Sequence, residues 1–235
     1  MIEPAPASSQ TAPSLYRWFW PFLIGFLVID LATKADIFAS DCPTADLPPT
    51  PIGLADDPAA QAEYDLVIRH LRLRDREACL QEAWQDIPMI RPSFNTGVAW
   101  SLFAEHPEWV VMITVVMIPL LIFAFWRWFR HGGRLEVLAF GSVLGGALGN
   151  AWDRLWSLDP VASGIFGVRD FIHVDLTPIP FLDPFPTFNV ADIGISVGFI
   201  ALLLVSFRKP GPQPPTGDQV ASASGPHTET RASPA

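Results

Sequence analysis

Long apolar blocks alternate along this chain with polar, proline-rich stretches, and four of the blocks have the length of a helix. The first runs from Trp18 to about Ala35, and the second, from Trp109 to Trp126, contains no charge. At about 1.5 Å per residue the second covers a hydrocarbon core roughly 30 Å thick. The third, Val137 to Trp152, and the fourth, Ile193 to Phe207, are shorter and need flanking residues to span. The pattern places helices at about 17–36, 108–128, 135–154 and 189–208, within one membrane domain over 17–209. The ends, 1–16 and 210–235, are rich in Pro, Ala and Ser; they cannot bury a core and are expected to be disordered in the cytoplasm.

Between the first two blocks lies a polar insertion, about 37–91. Within it Tyr64, Val67, Ile68 and Leu71 fall at helical spacing, predicting an extramembrane helix over 59–83. Its charges, Arg72, Arg74, Asp75, Arg76 and Glu77, read as a solvated face. The stretch Phe94 to Phe103 alternates and contains Gly97, as a strand or hairpin edge would.

Arg127, Arg130 and Arg134 follow the second helix, and Arg208 and Lys209 follow the fourth; the positive-inside rule makes both sites cytoplasmic. Four crossings then put both termini inside and the loops 36–107 and 153–188 outside. Asp30, Lys34, Asn95, Asn150, Asp153, Arg154, Asp170 and Asp192 consequently fall at one level, on the exported face. Scattered structural ion pairs would have less reason to do so.

Composition agrees with a membrane protein, since 50% of the residues are hydrophobic and only 17% charged. The net charge of −9 argues against nucleic acid as partner, which would require clustered Lys and Arg. Cysteine and histidine spacings match no metal site, and no phosphate or dinucleotide loop is present, so neither a metal nor a cofactor is expected. Cys42 and Cys79 are equally compatible with a disulfide in an exported loop and with two free thiols. A cleaved signal peptide fits poorly because Asp30 and Lys34 interrupt the cleavage region. Lipoprotein-type cleavage before Cys42 fails because Asp41 stands where a small residue is wanted.

The candidate chemistry rests on acids at the mouths of apolar helices, which are costly unless paired or useful. Two carboxylates in one poorly hydrated site cannot both ionise readily. One of Asp170 and Asp192 can then hold a proton while the other deprotonates a water, the division of labour in aspartic peptide hydrolysis. The rival is a four-helix transporter or scaffold in which the same acids relay protons or form structural pairs. Asp30 with Lys34 reads as a local pair one turn apart, and Asp153 with Arg154 as an ion pair capping the third helix. Gly141, Gly145 and Gly149, like Gly194 and Gly198, have the spacing of close helix packing. Ser196 in Gly194–Gly198 mimics a nucleophile motif but lies inside an apolar run, not on a strand-to-helix turn. His106 and His173 receive no role.

Five blocks, taken in order, resemble a known family. They are Asp30-Leu31-Ala32-Thr33-Lys34, Asn95 to Ser101, Gly145 to Arg154, Val168-Arg169-Asp170-Phe171 and Phe188-Asn189-Val190-Ala191-Asp192. Together they are similar to the lipoprotein signal peptidases, or signal peptidase II. The resemblance implies an all-α polytopic membrane protein with four transmembrane helices, a small extracytoplasmic β-cradle and, here, an extended extracytoplasmic insertion. It implies an aspartic endopeptidase of the bacterial cytoplasmic membrane, working at its outer face as a monomer among membrane lipids. The substrates would be prolipoproteins whose cysteine carries a diacylglyceryl group, cut on the amino side of that cysteine. The family's catalytic pair falls on Asp170 and Asp192, and Asn95, Gly97, Asn150, Asp153, Arg154, Asn189, Asp30 and Lys34 fall on supporting positions.

Three departures stand out. Leu31 replaces a common Gln, and the stretch from Lys34 to Asn95 is much longer than usual. The spacer from Asp170 to Asp192 is also extended, making Asp175 and Asp183 rival partners, but Phe171 and Ile172 keep the motif on Asp170.

Overall fold

The computed structural model describes residues 15–42, 51, 56–97, 107–130, 132–156, 167–175 and 185–207. Of the expected disordered ends, 1–14 and 210–235 lie outside the described residues, as do most of 43–55, the span from Val98 to His106, Asp183, and Arg208 with Lys209; residues 15 and 16, expected to be disordered, are instead in a helical turn. Among the described residues the protein is mostly helical, with five α-helices and one two-stranded sheet. In chain order these are α1 (Phe19–Ile37), α2 (Pro58–Ala83), β1 (Ile90–Asn95), α3 (Pro107–Ala124), α4 (Arg134–Trp156), β2 (Val168–Ile172) and α5 (Val190–Ser206). A 3-10 turn, Leu15–Trp18, leads into α1, and α3 continues into a π-turn, Phe125–Phe129.

Local chemistry explains the clearest helix starts. Asp57 accepts the amides of Ala59 and Ala60 at 2.9 and 3.2 Å, and Pro58 costs nothing at a position whose N–H has no helical partner. Asn189 opens α5 with a reciprocal cap: its side chain accepts from the Asp192 amide, while Asp192 Oδ2 accepts from the Asn189 amide.

Helix α4 packs between α1 and α5, and α3 leans chiefly against α4. Small residues set the central contacts. A side chain at Gly145 would collide with the Leu23 backbone of α1, and one at Gly149 with the Asp30 carboxyl. Apolar clusters lie at either end of α1: Phe19, Leu23, Phe125, Val137, Phe140 and Leu144 at one, Ile37, Phe38, Leu73, Leu80, Phe94 and Phe171 at the other.

The sheet sits on the second cluster. β1 runs antiparallel to β2 with Ser93 opposite Asp170, Phe94 opposite Arg169 and Asn95 opposite Val168. The strand expected from Phe94 to Phe103 thus begins earlier, at Ile90, and Asn95 is its last residue. Pro92 lies where the register shifts between Ile90 and Ser93, in a strand paired on one side only, and a missing N–H is tolerated there. Cys42 and Cys79 are joined by a disulfide, which settles the open alternative.

Among the described residues one helix, Trp109–Phe129, is by itself long and apolar enough to cross a membrane. α5 is apolar but shorter, at 17 residues.

Candidate active site

The ends of α1, α4, β1 and β2 and the start of α5 converge on a buried cluster of polar side chains. Lys34 is fully buried, its Nζ 2.7 Å from Asp30 Oδ2 and 3.2 Å from Asp153 Oδ2, and it donates to Asn150 Oδ1 at 3.1 Å. Asp30 in turn accepts the Ala191 amide at 2.9 Å. The pair expected within α1 is therefore also a tie to α4 and to the open amides of α5.

Asp153 departs from expectation. Instead of capping α4 with Arg154, it binds Arg169 of β2 through side chain and amide, at 2.7 Å to Nη2 and 3.0 Å to N. Residues one apart on a helix point about 100° away from each other, so Asp153 turns inward while Arg154 turns toward the sheet. Arg154 Nη2 donates to the Gly97 carbonyl at 3.3 Å. Arg169 was not singled out by the sequence reading; its position beside Asp170 was the signal available.

The inner cluster is relayed to the two acids by asparagines. Asn150 Nδ2 donates to Asp192 Oδ1 at 2.8 Å, while its Oδ1 accepts from Asn189 Nδ2 at 3.0 Å. The Asn189 amide nitrogen also donates to Asp170 Oδ1 at 2.7 Å. Asn95 closes the other side, donating from Nδ2 to Asp170 Oδ2 at 3.0 Å. Asp170 is 3% exposed, and burial, reinforced by the nearby Asp192 charge, raises its carboxyl from 3.8 to a net value of about 7. The amides of Asn95 and Asn189, and the charge of Lys34, pull the other way.

Asp170 and Asp192, with Asn95, Asn150 and Arg154, line one cavity of about 690 Å³. Its remaining wall is largely apolar, from Phe185 and Phe188 before α5 to Ile193 and Val197 on its outward face. The rival acids do not join it: Asp175 is exposed and does not line the cavity, and Asp183 lies outside the described residues. The arrangement sets two electrostatically coupled carboxyls, Asp170 with its raised proton affinity and Asp192, at the wall of a largely apolar cleft.

Comparison with known proteins gives a consistent picture. The family model for signal peptidase (SPase) II matches residues 61–208, so α1 with Asp30 and Lys34 precedes the matched part. The chain is 36% identical over 121 residues to a lipoprotein signal peptidase of Aquifex aeolicus (strain VF5), covering 50% of this chain and 65% of that protein. It is 31% identical over 147 residues to the lipoprotein signal peptidase of Lactococcus lactis subsp. cremoris (strain MG1363), covering 62% and 84%. The alignment with the Aquifex relative thus spans slightly less than two thirds of its length. In fold, the chain is similar to a bacterial membrane enzyme solved by the in meso method at 2.3 Å resolution, with a TM-score of 0.51. That likeness covers 83% of this chain and 94% of the other at 19% identity.

Proposed function

The chain belongs to the signal peptidase II family, and on that premise we propose a membrane-embedded aspartic endopeptidase that matures lipoproteins. It removes signal peptides from diacylglyceryl-modified prolipoproteins, cutting on the amino side of the lipidated cysteine. The carrying observation is that Asp170 and Asp192 line one cavity and are tied to each other through Asn189.

In the reaction, Asp192 takes a proton from a water held between the carboxyls, and the oxygen attacks the scissile carbonyl carbon. Asp170, whose raised value keeps it substantially protonated near neutrality, delivers its proton to the carbonyl oxygen. Collapse of the tetrahedral gem-diol breaks the C–N bond, and the amine leaves with a proton from the pair. Asn95, Asn150 and Asn189 hold the carboxyls; Arg154, bridging to Gly97, borders the cleft. Asp30, Lys34 and Asp153 fix the helix ends from which these groups project.

The protein lies in the bacterial inner membrane, where α1, α3, α4 and α5 each cross and α2 with the sheet stands outside. Support comes from apolar side chains on the outer faces of α3 and α5, among them Val115, Val116, Leu120, Phe199, Leu203 and Leu204. The domain spans 17–209, with 37–91 as the insertion. Lipid-modified substrate enters sideways along the apolar wall of the cavity. One chain supplies both acids, so a monomer suffices.

Purified protein incubated with diacylglyceryl-modified prolipoprotein is expected to yield a shortened product, and none from the unlipidated form. Asp170→Asn and Asp192→Asn should each lower the rate on the order of 10³-fold or more while the protein stays membrane-inserted. Full activity in either variant removes that residue from the reaction, and turnover of neither substrate removes the function.

A further inference from the structure

Helix α2 belongs to the insertion that the resemblance leaves without a role, yet it is fastened to both sides of the site. Arg76 donates to the carbonyls of Ser40 and Phe38, at 2.7 and 3.1 Å, beyond the end of α1. The disulfide from Cys79 to Cys42 secures the same junction. Leu73 and Leu80 pack with Phe94 of β1 and Phe171 of β2.

The contact with β1 is more specific than packing. β2 covers one edge of β1, and the other edge would present bare backbone groups. There Glu77 Oε2 accepts the Phe94 amide at 3.1 Å, and Gln81 Nε2 donates to the Pro92 carbonyl at 2.9 Å. Gln81, one turn on, also donates to Glu77 Oε1 at 3.3 Å. The two side chains supply the acceptor and donor that a third strand would have offered, and Pro92 needs none for an N–H. Burial pushes the Glu77 carboxyl up, while the Phe94 amide and the charges of Arg91 and Arg74 draw it down.

The next residue after Phe94 is Asn95, whose amide holds Asp170 Oδ2. We propose that Glu77 and Gln81 are positioning residues: by clamping the outer edge of β1 they fix the strand's last turn of backbone, and with it the hydrogen bond from Asn95 to Asp170. The proposal rests on Asp170 being catalytic, as argued above. It gives the insertion a task at the site, performed through β1 without touching substrate.

The test uses the full chain, unreduced, with kcat and KM for the lipid-modified prolipoprotein followed against pH. The groups facing Asp170 are Asp192 of α5, Lys34 of α1, and Arg154 of α4. None of these changes in the variants used. Because the Asn95 amide lowers the Asp170 value, its loss moves the alkaline limb of the profile upward. Glu77→Leu is expected to cut kcat about tenfold with KM little changed, and to move that limb in the same direction as Asn95→Ala. Combining the two should cost less than about twofold beyond Asn95→Ala alone, since both break one linkage. Glu77→Gln keeps an acceptor oxygen and should restore most of kcat. Hydrogen exchange at the Phe94 amide, which needs no activity, should quicken in Glu77→Leu and stay slow in Glu77→Gln.

An unmoved alkaline limb in Glu77→Leu, or losses that multiply independently with Asn95→Ala, would overturn the proposal. Slow exchange at Phe94 in Glu77→Leu would do so too, since the clamp would then not exist. The catalytic reading fails by a different result, namely turnover by Asp170→Asn, which leaves the exchange measurement unaffected.

Discussion

Helices α3 and α4 follow one another across a short basic turn, and both are apolar over most of their length. Their environments are opposite. α3 turns Val115, Val116, Leu120 and Phe123 outward, whereas α4 buries Val137 and every residue from Ala139 to Gly146. Hydropathy separates them only in degree, α3 being the more apolar, and does not by itself say which helix is packed. Size does: α4 carries Gly141, Gly145, Gly146 and Gly149, which let α1 and α5 come close, while α3 carries broad Val, Ile, Met and Leu side chains. The helix that others can approach is also the one able to carry Asn150, Asp153 and Arg154, since polar groups taken out of water need protein partners.

Removing the charge that binds the α4 side should have the largest effect on folding. Lys34→Met leaves Asp30 buried without its cation and Asp153 with Arg169 alone, a change worth about 3–5 kcal/mol, and little folded protein should survive detergent extraction and size-exclusion chromatography. A monodisperse variant of wild-type melting temperature would mean that the cluster is not what joins α1 to α4. Next, Gly145→Leu should force α1 off α4 and cost about 1–3 kcal/mol, read as a lowered thermal midpoint.

A subtler contrast comes from pH. The Asp170 carboxyl is raised from 3.8 to about 7, so the folded protein holds a proton that the unfolded chain has released between these values. Stability from this group is therefore greatest below about pH 4 and falls as pH climbs through 7. Asp170→Asn should flatten that fall, making the inactive variant melt higher than wild type at pH 8 but not at pH 4; equal midpoints at pH 8 would count against a strained acid. Smallest of all, Val116→Leu on the outward face of α3 should shift stability by no more than about 0.5 kcal/mol. A loss as large as that of Gly145→Leu would show that this outward face of α3 has a packing partner.

Much of the helical architecture was legible because a charged or amide side chain inside or beside an apolar block is conspicuous. Asp30, Lys34, Asn150, Asp153 and Asp192 announced themselves in that way. Their partners did not. Asp153 looked paired with its neighbour Arg154, but helix geometry sends the two apart and Arg169, distant in sequence, takes the bond. Glu77 read as part of a solvated face because nothing local distinguishes it from Asp75, whereas packing turns it toward the amide of Phe94. The cysteines stayed ambiguous because 37 residues of separation say nothing of whether two Cα atoms come within 6.0 Å.

By itself, the sequence determined that apolar helices would form, that their polar residues would gather at one end, and that Asp170 and Asp192 would be the acids to consider. The first two follow from solvation, which acts on each segment separately, and the third from the motifs around Asp170 and Asp192. Only the tertiary structure decided which side chain satisfies which: that Asn189 bridges the two acids, that Lys34 serves two carboxylates, and that α2 completes the edge of β1. Hydrogen bonds and ion pairs depend on distances of about 3 Å and on direction, and residues far apart in the chain acquire these only once helices and strands have packed.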